Sequence, residues 1–188
     1  MFNDRAEAGQ KLAQKIQALK ISLKEEMSLV LALPRGGVVV GAEIAQLCKL
    51  PLDIIVTRKI SHPSSSEYAV AAIGEHSLVL SPFEKVDTNY LNIEKAKERQ
   101  EIERRLLVYR GKRPPPEIKN KNIILADDGL ATGLTMEAAL KEVKFFHPRQ
   151  IILAVPVAPP ETIQRLKPLV DKIVVLQVES KFWAVGQF

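Results

Sequence analysis

The stretch IILADDGLATGLT at residues 123–135 constrains this chain more than any other segment. Its first four residues form an uninterrupted apolar run, which suits a strand buried on both faces. Two adjacent carboxylates, Asp127 and Asp128, close the run, and a loop of small residues and hydroxyls then leads straight into MEAALKEVKFF, whose spacing is helical. Gly129 and Gly133 permit close backbone approach, while Thr132 and Thr135 set hydroxyls beside the N–H groups of a helix N-terminus, a cradle for a phosphate. Carboxylates next to a phosphate repel it unless they serve another group. The vicinal diol of a ribose, gripped directly or through Mg²⁺, suits Asp127 and Asp128. No Walker-type lysine is present, which disfavours a nucleotide triphosphatase. The bland alternative is a strand running into an N-capped helix with incidental acids.

The same order of strand, loop and helix recurs along the chain. Leu29 to Leu33 is a short apolar run ended by Pro34, Arg35, Gly36 and Gly37, followed by the helical VVVGAEIAQLC. LDIIVTR reads as a strand, and Tyr68 to Ile73 is placed to pair with residues 76–80 as a hairpin. Residues 89–110, dense in Glu, Lys, Arg and Leu, predict a long exposed helix ending before Pro114, Pro115 and Pro116. IILAVPV and KIVVLQV supply two more strands, and residues 3–19 a leading helix with Asn3 or Asp4 as its cap. This spacing predicts an α/β fold, a mostly parallel sheet with helices on both faces, in one domain over 1–188 with a flexible loop or hairpin at 59–80. Ligands gather at the carboxyl ends of such strands. The loops at 127–135, at 34–37 and from Arg58 and Lys59 onward are therefore the places to look for chemistry. PRGG by itself is equally well a plain turn.

Composition narrows the partners. With 27 basic against 22 acidic residues the chain is mildly basic, which favours anionic small molecules. Aromatics make up only 5% and the charges are scattered, so nucleic acid is not an expected partner. One cysteine, Cys48, excludes an internal disulfide framework, and no run is long enough for a membrane helix or resembles a secretory signal. A cytoplasmic protein without a membrane partner is expected. His62, His76 and His147 show no metal-ligand spacing among themselves or with Cys48, which argues against zinc. The Glu and Arg residues of 94–105 have salt-bridge spacing, suited to a solvated face or to a homodimer contact.

IILADDGLATGLT resembles the phosphoribosyl diphosphate signature of type I phosphoribosyltransferases: four apolar strand residues, two acids, and a loop closing on T-G-x-T. LPRGGVVVGAEIA, VTRKI, ADDGLATGLTMEAAL and AVPVAPPETIQRL extend the resemblance over nearly the whole chain, to a bacterial and archaeal group of phosphoribosyltransferases of undetermined substrate. The resemblance implies the type I fold with a small hood from terminal segments, residues 178–188 forming part of it. It implies that a nitrogenous base displaces diphosphate from C1 of phosphoribosyl diphosphate, with Mg²⁺ as cofactor and no covalent nucleophile. Asp127, Asp128, Gly129, Leu130, Ala131, Thr132, Gly133, Leu134 and Thr135 would hold the ribose 5-phosphate, with Asp127 and Asp128 reaching the metal indirectly through the ribose hydroxyls. Arg35, Gly36 and Gly37, with Arg58 and Lys59, would meet the diphosphate, and the polar Ser61–Ser66 segment would act as a lid. Arg35, Lys59, Asp127 and Asp128 are the catalytic candidates.

For the base, the resemblance points two ways. Ala131 stands where 6-oxopurine enzymes carry an aspartate, as it does in adenine and orotate enzymes, whereas WAVGQ resembles the 6-oxopurine hood, with Trp183 and Val185 at the base. Trp183 is equally suited to anchoring the chain end. A non-catalytic sensor of phosphoribosyl diphosphate or a nucleotide is the alternative from another class, and hydrolysis of a phosphorylated sugar is a third reading.

Overall fold

The computed structural model describes residues 2–19, 21–82 and 86–179. In chain order the elements are α1 (Arg5–Ala18), β1 (Ser28–Ala32), α2 (Gly36–Cys48), β2 (Leu52–Ile54), β3 (Arg58–His62), β4 (Ser65–Ile73) and β5 (Leu78–Leu80). They continue with α3 (Thr88–Arg110), β6 (Asn122–Ala126), α4 (Leu134–Phe145), β7 (Gln150–Ala158), α5 (Pro160–Leu166) and β8 (Lys172–Val178). The chain divides into two compact units: residues 1–55, 116–133 and 146–188 form the first, and residues 56–115 with 134–145 the second.

The first unit is built on a five-stranded sheet in the order β2-β1-β6-β7-β8, parallel throughout. Every residue of β1 and β6 is buried, so neither strand shows polar alternation. Val30, Ile124, Ile152 and Val174 pack with Leu12 and Ile16 of α1 and Val40 and Ile44 of α2. Their neighbours in the strands, Leu31, Leu125 and Leu153, point to the opposite face and are as deeply buried. Full burial of such a side chain contributes about 1.5–3 kcal/mol, which is why the apolar runs locate the strands so well. The fold is α/β, with a central parallel sheet flanked by helices.

Asp4, rather than Asn3, caps α1. Its Oδ1 accepts from Glu7 N at 2.8 Å, and Glu7 Oε2 accepts from Asn3 N at 2.7 Å. Such a cap stabilises a helix start by about 1 kcal/mol and fixes where Arg5, its first residue, emerges.

The second unit holds an antiparallel sheet in the order β3-β4-β5. The hairpin expected around residues 76–80 is present, with Ala71 opposite Leu80 and Ile73 opposite Leu78. LDIIVTR is divided between two strands, β2 ending at Ile54 and β3 beginning at Arg58. The Ser61–Ser66 segment, expected within a flexible loop or hairpin, spans the tip of a β-hairpin. Pairing of β3 with β4 continues to His62 opposite Ser65, leaving Pro63 and Ser64 as the turn, with register shifts on either side of Ser61. Backbone pairing satisfies main-chain groups whatever the side chains, and Tyr90 Oη also donates to Ser61 O at 2.8 Å. Helix α3 is capped by Asp87, which accepts from Tyr90 N at 2.9 Å, and it ends at Gly111. Arg58 Nε meets Glu98 Oε2 of this helix at 2.6 Å.

Candidate functional site

Strand order reverses between β1 and β6: from β1 the chain moves outward to β2, and it later returns on the other side as β6. A crevice opens at the carboxyl ends of strands at such a switch point. The two strands end level, Ala32 opposite Ala126, so the loops beginning at Leu33 and Asp127 leave the sheet side by side. Leu33 N donates to Ala126 O at 3.0 Å. On the far side β7 runs past the end of β6 and backs the second loop: Asp127 N donates to Ala154 O at 3.3 Å, and Leu130 N to Val157 O at 3.0 Å.

The loops touch at the glycines. A Cβ on Gly36 would coincide with the Asp128 carboxylate, and one on Gly37 would come within 2.8 Å of Asp127 Cα and 3.0 Å of Ala126 O. Close approach therefore accounts for both glycines. Arg35 precedes them, exposed, on a cis Pro34–Arg35 peptide. Asp127 Oδ1 accepts from Asp128 N at 2.8 Å. Burial, and next the neighbouring Asp128 charge, push the Asp127 carboxyl well above the usual carboxylate range, and the Arg5 charge opposes them. Asp128 Oδ2 lies 2.8 Å from Arg5 Nε, with the aspartate side chain 17% exposed and the arginine 51%.

The second half of the loop is held through its carbonyls. Thr162 Oγ1 donates to Ala131 O at 2.8 Å, and Arg165 Nη2 makes a short bond to Thr132 O, both from α5. In a planar trans peptide the N–H points opposite to the C=O, so the N–H groups of Thr132 and Gly133 are directed away from α5. Gly133 has φ +68°, a left-handed conformation that favours glycine. Leu130 is buried, and Ala131 and Thr132 are exposed.

The structure thus brings Arg35, Gly36 and Gly37 together with Asp127, Asp128 and the loop through Gly133. Leu134 and Thr135 open α4 in the second unit, where Thr135 O accepts from Thr57 Oγ1 at 3.4 Å. Arg58 and Lys59 open β3 of that unit, Arg58 engaged with Glu98 and Lys59 exposed. Trp183 and Val185, and nearly all of the expected hood segment at 178–188, lie outside the described residues. Arg5, Thr162 and Arg165 were not anticipated. Arg5 is 123 residues from its partner, and the one signal for the others was a Pro-initiated helix after the β7 run.

Among the described residues, Glu75, His76 and Glu142 bring potential metal-ligand atoms within 4.8 Å of one another. His76 Nδ1 lies 2.6 Å from Glu142 Oε1, and His76 N donates to Oε2 at 2.8 Å. The ring also stacks on Phe145 at 4.7 Å between centroids. Both Glu142 oxygens are engaged, an arrangement suited to clamping the β4–β5 turn onto α4. Sequence spacing could not reveal it, because Glu142 is 66 residues from His76.

A parallel sheet with two glycine-bearing loops and a carboxylate pair at its switch point defines a doubly wound α/β protein, a class in which ligands bind at the carboxyl edge of the sheet. The chain belongs to the phosphoribosyl transferase domain family, whose model matches residues 3–188. It is 33% identical over 192 residues to a Mycobacterium tuberculosis protein named "Putative phosphoribosyl transferase", a match covering all of this chain and 42% of that protein. It thus spans about two fifths of the length of the curated relatives it matches. A crystal structure of a Thermus thermophilus protein is 42% identical, with a TM-score of 0.81 over all of this chain and 89% of that one. The purine phosphoribosyltransferase of Pyrococcus horikoshii shares the fold at 16% identity and a TM-score of 0.53, over 94% of this chain and 84% of that one. Among the described residues no helix is long and apolar enough to cross a membrane.

Proposed function

We propose that this chain transfers the 5-phosphoribosyl group of phosphoribosyl diphosphate to a nitrogenous base with release of diphosphate. The observation that carries the reading is the opposition of Asp127 and Asp128 to Gly36 and Gly37 at the switch point. Two carboxylates there suit the ribose hydroxyls. The outward N–H groups of Thr132 and Gly133 suit the 5-phosphate, and a backbone bare of side chains beside Arg35 suits the diphosphate.

In this reading Asp127 and Asp128 accept hydrogen bonds from the ribose hydroxyls and fix C1 relative to the incoming base. Gly129 to Thr135 enclose the 5-phosphate. Arg35, with the backbone at Gly36 and Gly37, stabilises charge developing on the diphosphate as the C1–O bond breaks. Family resemblance alone assigns Lys59, with Arg58, to the same leaving group. Mg²⁺, when bound, supplies positive charge to the diphosphate. The carboxylate pair fits it as hard oxygen groups acting through the ribose. Ala131 offers no carboxylate to exchange a proton with the base, which favours an acceptor that needs none. Trp183 and Val185 are the proposed base contacts. The exposed Ile93, Leu107 and Val108 on α3 favour a homodimer through that helix.

Calorimetric titration with phosphoribosyl diphosphate and Mg²⁺, then a panel of purine and pyrimidine bases read by diphosphate release, tests the reading. Binding with turnover on one base is the expected result. Binding without turnover on any base favours the sensor. Asp127→Asn with Asp128→Asn is expected to abolish binding while the protein stays folded, and unaltered affinity in that variant would remove the site assignment.

A further inference from the structure

Arg5 lies outside every motif that marks the site, yet its guanidinium sits where the two loops meet. Its Nε is 2.8 Å from Asp128 Oδ2 and 3.0 Å from the position a Cβ on Gly36 would take. It is the first residue of a helix clasped at its start by Asp4 and Glu7, so its backbone is fixed while the side chain remains half exposed. Only Nε is used on Asp128, and its other N–H donors bond no described residue. An arginine held by one edge presents the rest of a planar donor fork to whatever arrives.

We propose that Arg5 is a ligand-binding residue of the site, acting by exchange of counter-ions. This rests on the phosphoribosyltransferase reading. Without ligand, Arg5 neutralises the carboxylate pair through Asp128. When the ribose hydroxyls take Asp128 as acceptor, the guanidinium is released next to the Gly36 loop and pairs with the diphosphate that the same ligand brings. The charge of the empty site is thereby kept balanced, and a second arginine joins Arg35 on the leaving group. A diphosphate-bearing ligand therefore gains from Arg5, whereas a nucleoside 5′-monophosphate, which has the ribose and the 5′-phosphate but no diphosphate, does not.

The test is calorimetric titration of the unaltered protein, Arg5→Gln and Arg5→Lys with phosphoribosyl diphosphate and Mg²⁺, and separately with a nucleoside 5′-monophosphate. Arg5→Gln is expected to weaken phosphoribosyl diphosphate binding about 10- to 100-fold, as loss of a charge-assisted contact does, with monophosphate affinity unchanged or raised by up to about 5-fold, since its ribose no longer has to displace the guanidinium. Arg5→Lys, a charge without the fork, should fall between. Equal loss for both ligands would mean that Arg5 only positions Asp128, and no loss for either would make the pair a surface ion pair; both outcomes overturn the proposal. If the unaltered protein binds neither ligand, the phosphoribosyltransferase reading itself fails, and this one with it.

Discussion

Gly133 offers the sharpest perturbation of the loop, because its replacement by alanine carries two separable costs. A left-handed φ of +68° costs an L-residue about 1–2 kcal/mol. The added Cβ also falls 2.5 Å from Thr162 Cγ2, with Arg165 Nη2 next at 3.1 Å, an overlap of the kind that costs about 1–3 kcal/mol. Gly133→Ala should therefore destabilise by about 2–5 kcal/mol. At about 2–4 °C per kcal/mol for a chain of this size, a cost of ~3 kcal/mol lowers Tm by about 6–12 °C. Thr162→Ser separates the two parts, since it removes the offending methyl yet keeps the hydroxyl that donates to Ala131 O at 2.8 Å. Alone it should cost about 1 kcal/mol. In the double variant the overlap is relieved and the backbone strain is not, so the double should be more stable than the sum of the singles predicts by about 1–2 kcal/mol. Thermal melts followed by circular dichroism on all four proteins, with phosphoribosyl diphosphate titrations alongside, measure this. Strict additivity would refute the contact, and a Gly133→Ala variant that melts like the unaltered chain would refute both the contact and the strain.

The raised Asp127 carboxyl makes a pH prediction. A carboxyl raised on folding contributes stability that is complete below its unfolded value of about 4 and is lost as pH rises through its folded value. Asp127→Asn removes that loss and retains an oxygen for Asp128 N, so it should melt higher than the unaltered protein at pH 8 while losing phosphoribosyl diphosphate binding; parallel melting curves from pH 5 to 9 would contradict this. Gly36→Ala places a methyl on the Asp128 carboxylate and should weaken phosphoribosyl diphosphate binding by about 10-fold or more, measured calorimetrically. His76→Ala leaves Glu142 Oε1 without its ring partner and should cost about 1–3 kcal/mol, read as a lower Tm. A chelator should leave the Tm of the unaltered protein where it was, and a fall of several degrees would assign the Glu75, His76 and Glu142 cluster to a metal.

The central sheet was legible in the sequence because its strands are buried on both faces, which leaves unbroken apolar runs such as Ile123–Ala126 and Ile151–Val155. The carboxylate pair and the glycine loops were legible because each lies within a few residues of a strand end. What stayed hidden depends on long-range contact. Nothing about Arg5 marks it as the partner of Asp128, and nothing in PETIQRL says that its Thr and Arg reach back to two carbonyls of the loop. The polar Ser61–Ser66 segment left loop and hairpin undecided for a local reason: strand pairing there is carried by the backbone, to which side-chain polarity is a poor guide.

The clasp from α5 has an evolutionary corollary. Thr162 and Arg165 grip main-chain oxygens, so the course of the loop through residues 131 and 132 does not depend on which side chains those positions carry. Both positions are exposed. Substitutions there can change the surface the loop presents without disturbing how it is drawn, which leaves a lineage free to vary that surface on an unchanged frame.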